Sequence, residues 1–313
     1  FRTDDLPRGH PLHGLLAGLE RNPSVHTVDL ARLRPDDTAQ IVDQLSPHLP
    51  PEAAADIVAR SQGVPFFVEE LVGLPDHRMP DTLRGVILAR IDVLPTEARG
   101  VIGTLAVGGA RVDHDILAEV TSADPAELTA ALRSGVDLNV LVTDERGYAF
   151  RHALIQEAVH DDLLPGDRTE LHRRYAMALQ RRVDAGDEAL AAETAEHWLG
   201  ARDLPRAFDA TLAAYRHARA SLAVIGTIQH GERLLDLWPD VPDAPQRAGR
   251  GLADLACEVV TALNEVDDDA DRARRYARAV FAQLGEHDPV GRGALHRLLA
   301  VVLSNGGRSV GGA

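Results

Sequence analysis

The chain has 313 residues, 33 of them basic and 48 acidic, for a formal charge of −15. That length suffices for more than one domain core, and the charge argues against non-specific binding to nucleic-acid phosphates. A single cysteine, Cys257, excludes a disulfide framework, and the absence of any lysine means that no phosphate-loop lysine lies in these residues.

No apolar run approaches the ~18–20 residues that span a bilayer. The opening Phe1-Arg-Thr-Asp-Asp5 is neither a signal nor a transit peptide. Both points fit a cytoplasmic setting, as does the lone thiol.

In chain order, Leu12–Glu20 reads as a short helix and Val25–Leu30 alternates like a strand. From Pro35 the pattern turns helical, with Asp36 or Asp37 placed to cap Thr38–Leu45. Pro51 opens a second helix, Gly63-Val-Pro65 breaks it, and Phe66–Leu74 begins a third. Pro75–Pro80 is polar and proline-bounded, as a linker is.

Helical patterns then cover Leu83–Val93, Glu97–Gly108, His114–Val120 and Pro125–Val136. Two β-like runs follow, Val140–Thr143 and Tyr148–Phe150, joined by the turn Asp144-Glu-Arg-Gly147. Helices followed by a β-hairpin give the winged-helix order. Beyond Asp167 the pattern is helical throughout: Arg168–Ala185, Glu188–Gly200, Pro205–Ala220, Gly226–Trp238, Pro245–Leu263, Asp268–Leu284 and Gly291–Leu303. Alanines at their faces and the run Trp198-Leu-Gly, with Ala207 and Ala214 after it, partly meet the tetratricopeptide consensus.

Two stretches carry the chemistry: Gly63-Val-Pro-Phe-Phe-Val-Glu-Glu-Leu71 and Tyr148-Ala-Phe-Arg-His-Ala-Leu-Ile-Gln-Glu-Ala158. In this order and spacing they resemble the lid and winged-helix parts of a STAND-class signalling ATPase. The nearest flavour is the large ATP-binding LuxR-type transcriptional regulators. The resemblance implies a mainly α chain with five parts. These are the end of a P-loop α/β core (1–34), a helical lid (35–78), a winged helix (79–165), a helical solenoid of tetratricopeptide type (166–306) and a disordered tail (307–313).

By the same resemblance four residues contact ATP or ADP in the complete protein. Pro65, presented by the Gly63 turn, rests its rigid ring against adenine. Arg2 acts as a sensor toward the terminal phosphates, where a guanidinium reads paired oxygens. His152 stands where related NB-ARC switches place a Met-His-Asp histidine on the ADP β-phosphate. The aspartate of that motif is absent here, since Ala153 follows.

The resemblance further implies Mg with the nucleotide in the complete protein, slow ATPase activity there, and none in these residues alone, which should not hold nucleotide tightly. The expected partners are a P-loop core, a protein or small-molecule effector on the solenoid, and other copies in the active state. No membrane and no direct nucleic-acid partner is expected. Residues 81–150 carry six arginines against eleven carboxylates, and Pro125–Gly135 offers DNA only Arg133.

Other readings stay open: a helical-repeat interaction scaffold without nucleotide, or the ATPase-associated region of a cyclase or kinase signalling protein. Three further motifs fail on context. Gly307-Arg-Ser-Val-Gly311 has no helix after its serine, His10-Pro-Leu-His13 lacks a second ligand pair, and Asp267–Asp271 lacks the glycine and distal glutamate of a calcium loop. No catalytic or metal-binding residue is expected.

Overall fold

The computed structural model describes residues 30–72, 81–266, 275–276, 278, 280–281, 284 and 289–306. The Leu12–Glu20 helix, the 75–80 linker, the tail and the three motifs that fail on context lie outside these, as do all but Leu30 of the Val25–Leu30 strand and most of Asp268–Leu284. The described chain is mainly α, with one two-stranded sheet. It forms two compact units, residues 1–168 and 169–313.

In the first unit, α1 (Pro35–Leu45), α2 (Pro51–Ser61) and α3 (Pro65–Val72) each begin at a proline. Proline suits a first turn because its missing N–H would find no helical partner there. The cap of α1 differs from the sequence expectation. Arg34 holds the N-cap position without a side-chain cap, and Asp36 and Asp37 fall in the first turn. Their carboxylates there oppose the positive end of the helix dipole, and Asp37 also accepts from Arg34 Nε at 2.9 Å.

The three helices pack through Val42, Ile57, Val68 and Leu71, joined by Leu83 of α4 (Asp81–Asp92) and Leu154 of a later helix. That last contact ties the three-helix group to the segment that follows.

The next elements are α5 (Thr96–Val107), α6 (His114–Thr121), α7 (Pro125–Asp137), β1 (Leu141–Asp144), β2 (Gly147–Phe150) and α8 (Ala153–Asp162). Aspartates cap two of them: Asp113 accepts from the Asp115 N–H, and Asp124 from the Ala126 N–H. β1 and β2 pair antiparallel from Leu141↔Phe150 to Asp144↔Gly147. Val112 adds a one-residue bridge to Tyr148, giving three strand positions and three helices in the winged-helix order.

Gly147 makes the wing possible. It sits at φ +135°, and a Cβ there would lie 2.2 Å from the Val112 carbonyl oxygen. Ile102, Leu117, Leu128 and Leu141 fill the core beneath.

The described elements of the second unit are all helices. The division between units falls within α9 (Pro165–Asp184), which starts three residues before the expected Arg168. A short 3-10 turn, Glu188–Leu190, leads into α10 (Ala191–Gly200), so the expected helix from Glu188 begins as a tighter coil.

Next come α11 (Leu204–Ala220), α12 (Val224–Leu237), α13 (Ala244–Ala248), α14 (Leu252–Val266) and α15 (Pro289–Gly306). The expected single helix over Pro245–Leu263 is two, because Gly249 closes α13 in the left-handed region at φ +68°.

From α10 onward each long helix packs on the next, α10 on α11, α11 on α12, α12 on α14 and α14 on α15, as stacked repeats do. Ala207, Ala210, Ala214 and Ala218 of α11 are all buried. Side chains that small let the neighbouring axes approach closely. Phe208, Tyr215 and Trp198 supply the bulk of the core. Among the described residues no helix is long and apolar enough to cross a membrane.

Candidate functional site

The candidate site lies in the first unit, where the α2–α3 turn meets the start of α8. Gln62 and Gly63 both adopt left-handed conformations, which reverse the chain between the helices. Gly63 is required there: φ is +72°, and an added Cβ would lie 2.2 Å from the Leu33 carbonyl oxygen. The Gly63 carbonyl accepts from the Leu33 N–H at 2.9 Å, locking the preceding segment onto the turn. Pro65 then opens α3, and both Pro65 and Phe66 are exposed. The turn therefore presents a rigid apolar corner to solvent.

His152 occupies the N-cap position of α8, with extended backbone and no side-chain cap bond. Its carbonyl accepts from the Ile155 N–H at 3.0 Å, and the first turn of α8 holds no acidic residue. The imidazole is half-buried, and Phe67 meets it edge-on, ring centroids 5.6 Å apart at 81°. Gly63, Pro65 and His152 thus belong to one neighbourhood, linked through Phe67. Arg2 lies outside the described residues.

Residues that the sequence reading did not single out hold this neighbourhood together. Arg60 of α2 grips Glu157 of α8 with two bonds, Nη2 to Oε1 at 2.6 Å and Nε to Oε2 at 3.1 Å. Arg32 donates to Gln62 Oε1 at 3.3 Å and weakly to the Arg151 carbonyl at 3.5 Å. Arg151 itself reaches back to Asn139 Oδ1 at 2.9 Å. Gln156 donates to the carbonyls of Ala106 and Gly109, fixing α8 against the end of α5.

Beside these bonds opens a cleft of about 310 Å³, lined by Ala106, Gly109, Ala153, Gln156, Glu157 and His160. Phe67 and Glu157 both stand inside the two quoted stretches. Their exact partners needed the fold.

The arrangement sets an exposed apolar corner and an imidazole at a helix start beside the Arg60–Glu157 salt bridge. Among the described residues no group of three histidine, cysteine or acidic side chains is placed to hold a metal.

Comparison with known proteins adds little. No family model matches the chain. Over 235 residues, 69% of its length, it is 26% identical to an uncharacterized protein of Rhizobium meliloti (strain 1021). Among solved structures it matches a Signal Transduction ATPase with Numerous Domains (STAND) protein with a tetratricopeptide repeat sensor, from Pyrococcus horikoshii. That match has 13% identity over 91% of this chain and 52% of the other, with a TM-score of 0.31, too low to establish a shared fold. The chain spans 23% of the Rhizobium protein and about half of the Pyrococcus one.

Proposed function

We propose that this chain is the lid, winged-helix and repeat portion of an ATP/ADP-dependent signalling switch. ADP holds lid and winged helix together, and the helical repeats take an effector or a partner protein. The observation that carries the reading is the edge contact of Phe67 with His152 at 5.6 Å. It draws together the Gly63–Pro65 turn and the histidine, the two features on which the family resemblance rests.

The residues fit such a ligand. Pro65 and Phe66 form an exposed apolar corner of the kind an adenine ring covers. His152 can donate to a phosphate oxygen, and the start of α8 is free of competing carboxylates in its first turn. Arg2 would read the terminal phosphates, and Mg²⁺ would neutralise phosphate charge alongside a P-loop elsewhere in the complete protein. In this reading the output is transcriptional, in the manner of LuxR-type regulators.

The test is titration calorimetry of ADP with the complete protein, followed by hydrogen exchange with and without ADP. Saturable binding that protects the segments around Pro65 and His152 supports the switch. Absence of binding, or protection confined elsewhere, removes nucleotide from these residues and leaves the repeat scaffold as the better reading.

A further inference from the structure

The helical-repeat unit contains a second cleft, of about 350 Å³, between α11, α12 and α14. Its lining includes Tyr215, Arg219, Thr227, Cys257, Glu258 and Thr261. Glu258 organises it. One carboxylate oxygen, Oε2, accepts from Tyr215 Oη at 2.7 Å, Arg219 Nη1 at 2.6 Å and Arg250 Nη1 at 2.7 Å. Two guanidiniums and a phenol therefore converge on a single oxygen. Each guanidinium commits one N–H to it, and neither makes another protein hydrogen bond among the described residues.

The charge here runs against the rest of the molecule. In a chain of formal charge −15, this cluster sets two arginines against one glutamate. The surplus is one positive charge, carried on planar forks suited to a carboxylate. Gly231 lets α12 approach closely, since an added Cβ would meet Val259 Cγ2 at 2.4 Å and Tyr215 Cε2 at 3.3 Å. The resulting cleft reaches the size range of small-molecule sites. Its walls include the Tyr215 ring, with Arg219 over it at 5.8 Å from the centroid.

We propose that this cleft binds a small monocarboxylic acid, its carboxylate meeting Arg219 beside Glu258, whose other partner Arg250 lies outside the lining, and its body resting along Thr227 and Cys257. A single negative charge balances the cluster. A dianionic phosphate would face the retained Glu258 carboxylate with a second charge left over. The site deepens the effector half of the proposed function and rests on it only in naming the ligand an effector. The geometry itself involves no nucleotide.

Cys257 is the chain's only cysteine and lines the cleft, so it reports occupancy. Benzoate is the probe, with benzamide as the uncharged control and inorganic phosphate as the dianion, all on the nucleotide-free protein. Benzoate should slow Cys257 alkylation by iodoacetamide in a saturable way, while benzamide and phosphate should not. Arg219→Gln should abolish the protection.

Glu258→Gln supplies the decisive arm. It keeps an acceptor for Tyr215 and removes the internal competitor, so benzoate should protect at several-fold lower concentration. A network that merely staples the helices predicts a less stable protein and no tighter benzoate. If benzoate protects neither the wild type nor Glu258→Gln, or if benzamide protects equally, the site is overturned. Because the assay contains no ADP, its outcome is separate from that of the nucleotide titration.

Discussion

Phe67 and His152 stand edge to face, 5.6 Å apart, one on the first turn of α3 and the other at the start of α8. Aromatic contacts of this kind contribute roughly 0.5–1.5 kcal/mol beyond area burial, so the pair couples the three-helix group to α8 even without ligand.

With ADP present, His152 would also donate to a β-phosphate oxygen. Losing one hydrogen bond to a charged group costs roughly 1.5–3 kcal/mol, or about 10- to 150-fold in affinity. His152→Ala in the complete protein should therefore weaken ADP by about that factor and ATP by less. It should raise signalling without inducer, as a biased two-state switch requires. Pro65→Ala should weaken both nucleotides alike, because adenine is common to them. Equal ADP affinity in wild type and His152→Ala by calorimetry makes His152 a packing residue.

Gly63→Ala tests the turn on its own. The substitution places a methyl group 2.2 Å from the Leu33 carbonyl oxygen at φ +72°, so the backbone must move. Moving it strains or breaks the Leu33 to Gly63 hydrogen bond of 2.9 Å. The expected loss is about 1–3 kcal/mol in urea denaturation. A change below about 0.5 kcal/mol, the ordinary range for surface substitutions, would mean the turn adapts and glycine is not needed.

Much of this was legible before the fold was known, for local reasons. Proline at first turns, Gly63 between two helical patterns and alternation on both sides of Asp144–Gly147 are short-range signals, and each marked its element. The misses have equally physical causes. Asp36 and Asp37 suit a cap as well as the first turn they occupy, because carboxylates favour both. One glycine is tolerated inside a helix, so the sequence around Gly249 continues the helical pattern, and only its left-handed φ ends α13. The links Arg60–Glu157 and Tyr215–Glu258 join residues far apart in sequence, and no periodicity encodes which charge finds which.

The Arg60–Glu157 bridge deserves a double-mutant cycle. Both bonds are short, 2.6 and 3.1 Å, and the Arg60 side chain is only 19% exposed. Exposed pairs contribute about 0–1 kcal/mol, but a half-buried bidentate pair should reach the upper end. Comparing Arg60→Ala, Glu157→Ala and the double variant should give a coupling energy of about 1 kcal/mol. Hydrogen exchange in α3 should also rise in each single variant, since the bridge holds α2 and α8 around it. Additive effects would make the bridge incidental.

The pairing of buried His197 with half-buried His172 gives the stability of the repeat unit a pH signature. The two Nδ1 atoms lie 3.0 Å apart, so one must donate and the other accept, with one proton between them. Tyr175 stacks on His197 at 4.9 Å, and Glu193, itself raised by burial, adds negative charge near Tyr175. Burial, and then the charge of His172, push His197 down to about 3.

An unfolded histidine titrates near 6.5, so between those values the unfolded chain takes a proton that the folded chain refuses. The contribution is complete above about pH 6.5 and declines steadily as pH falls toward 3, by about 2 kcal/mol at pH 5. Urea unfolding at pH 7.5 and pH 5.0 should show that loss in the wild type. His197→Gln keeps a partner for His172, cannot titrate, and should remove most of the difference. Since Glu193 is common to both proteins, its opposing titration cancels in the comparison. An unchanged pH dependence in the variant would assign the acid sensitivity to other groups.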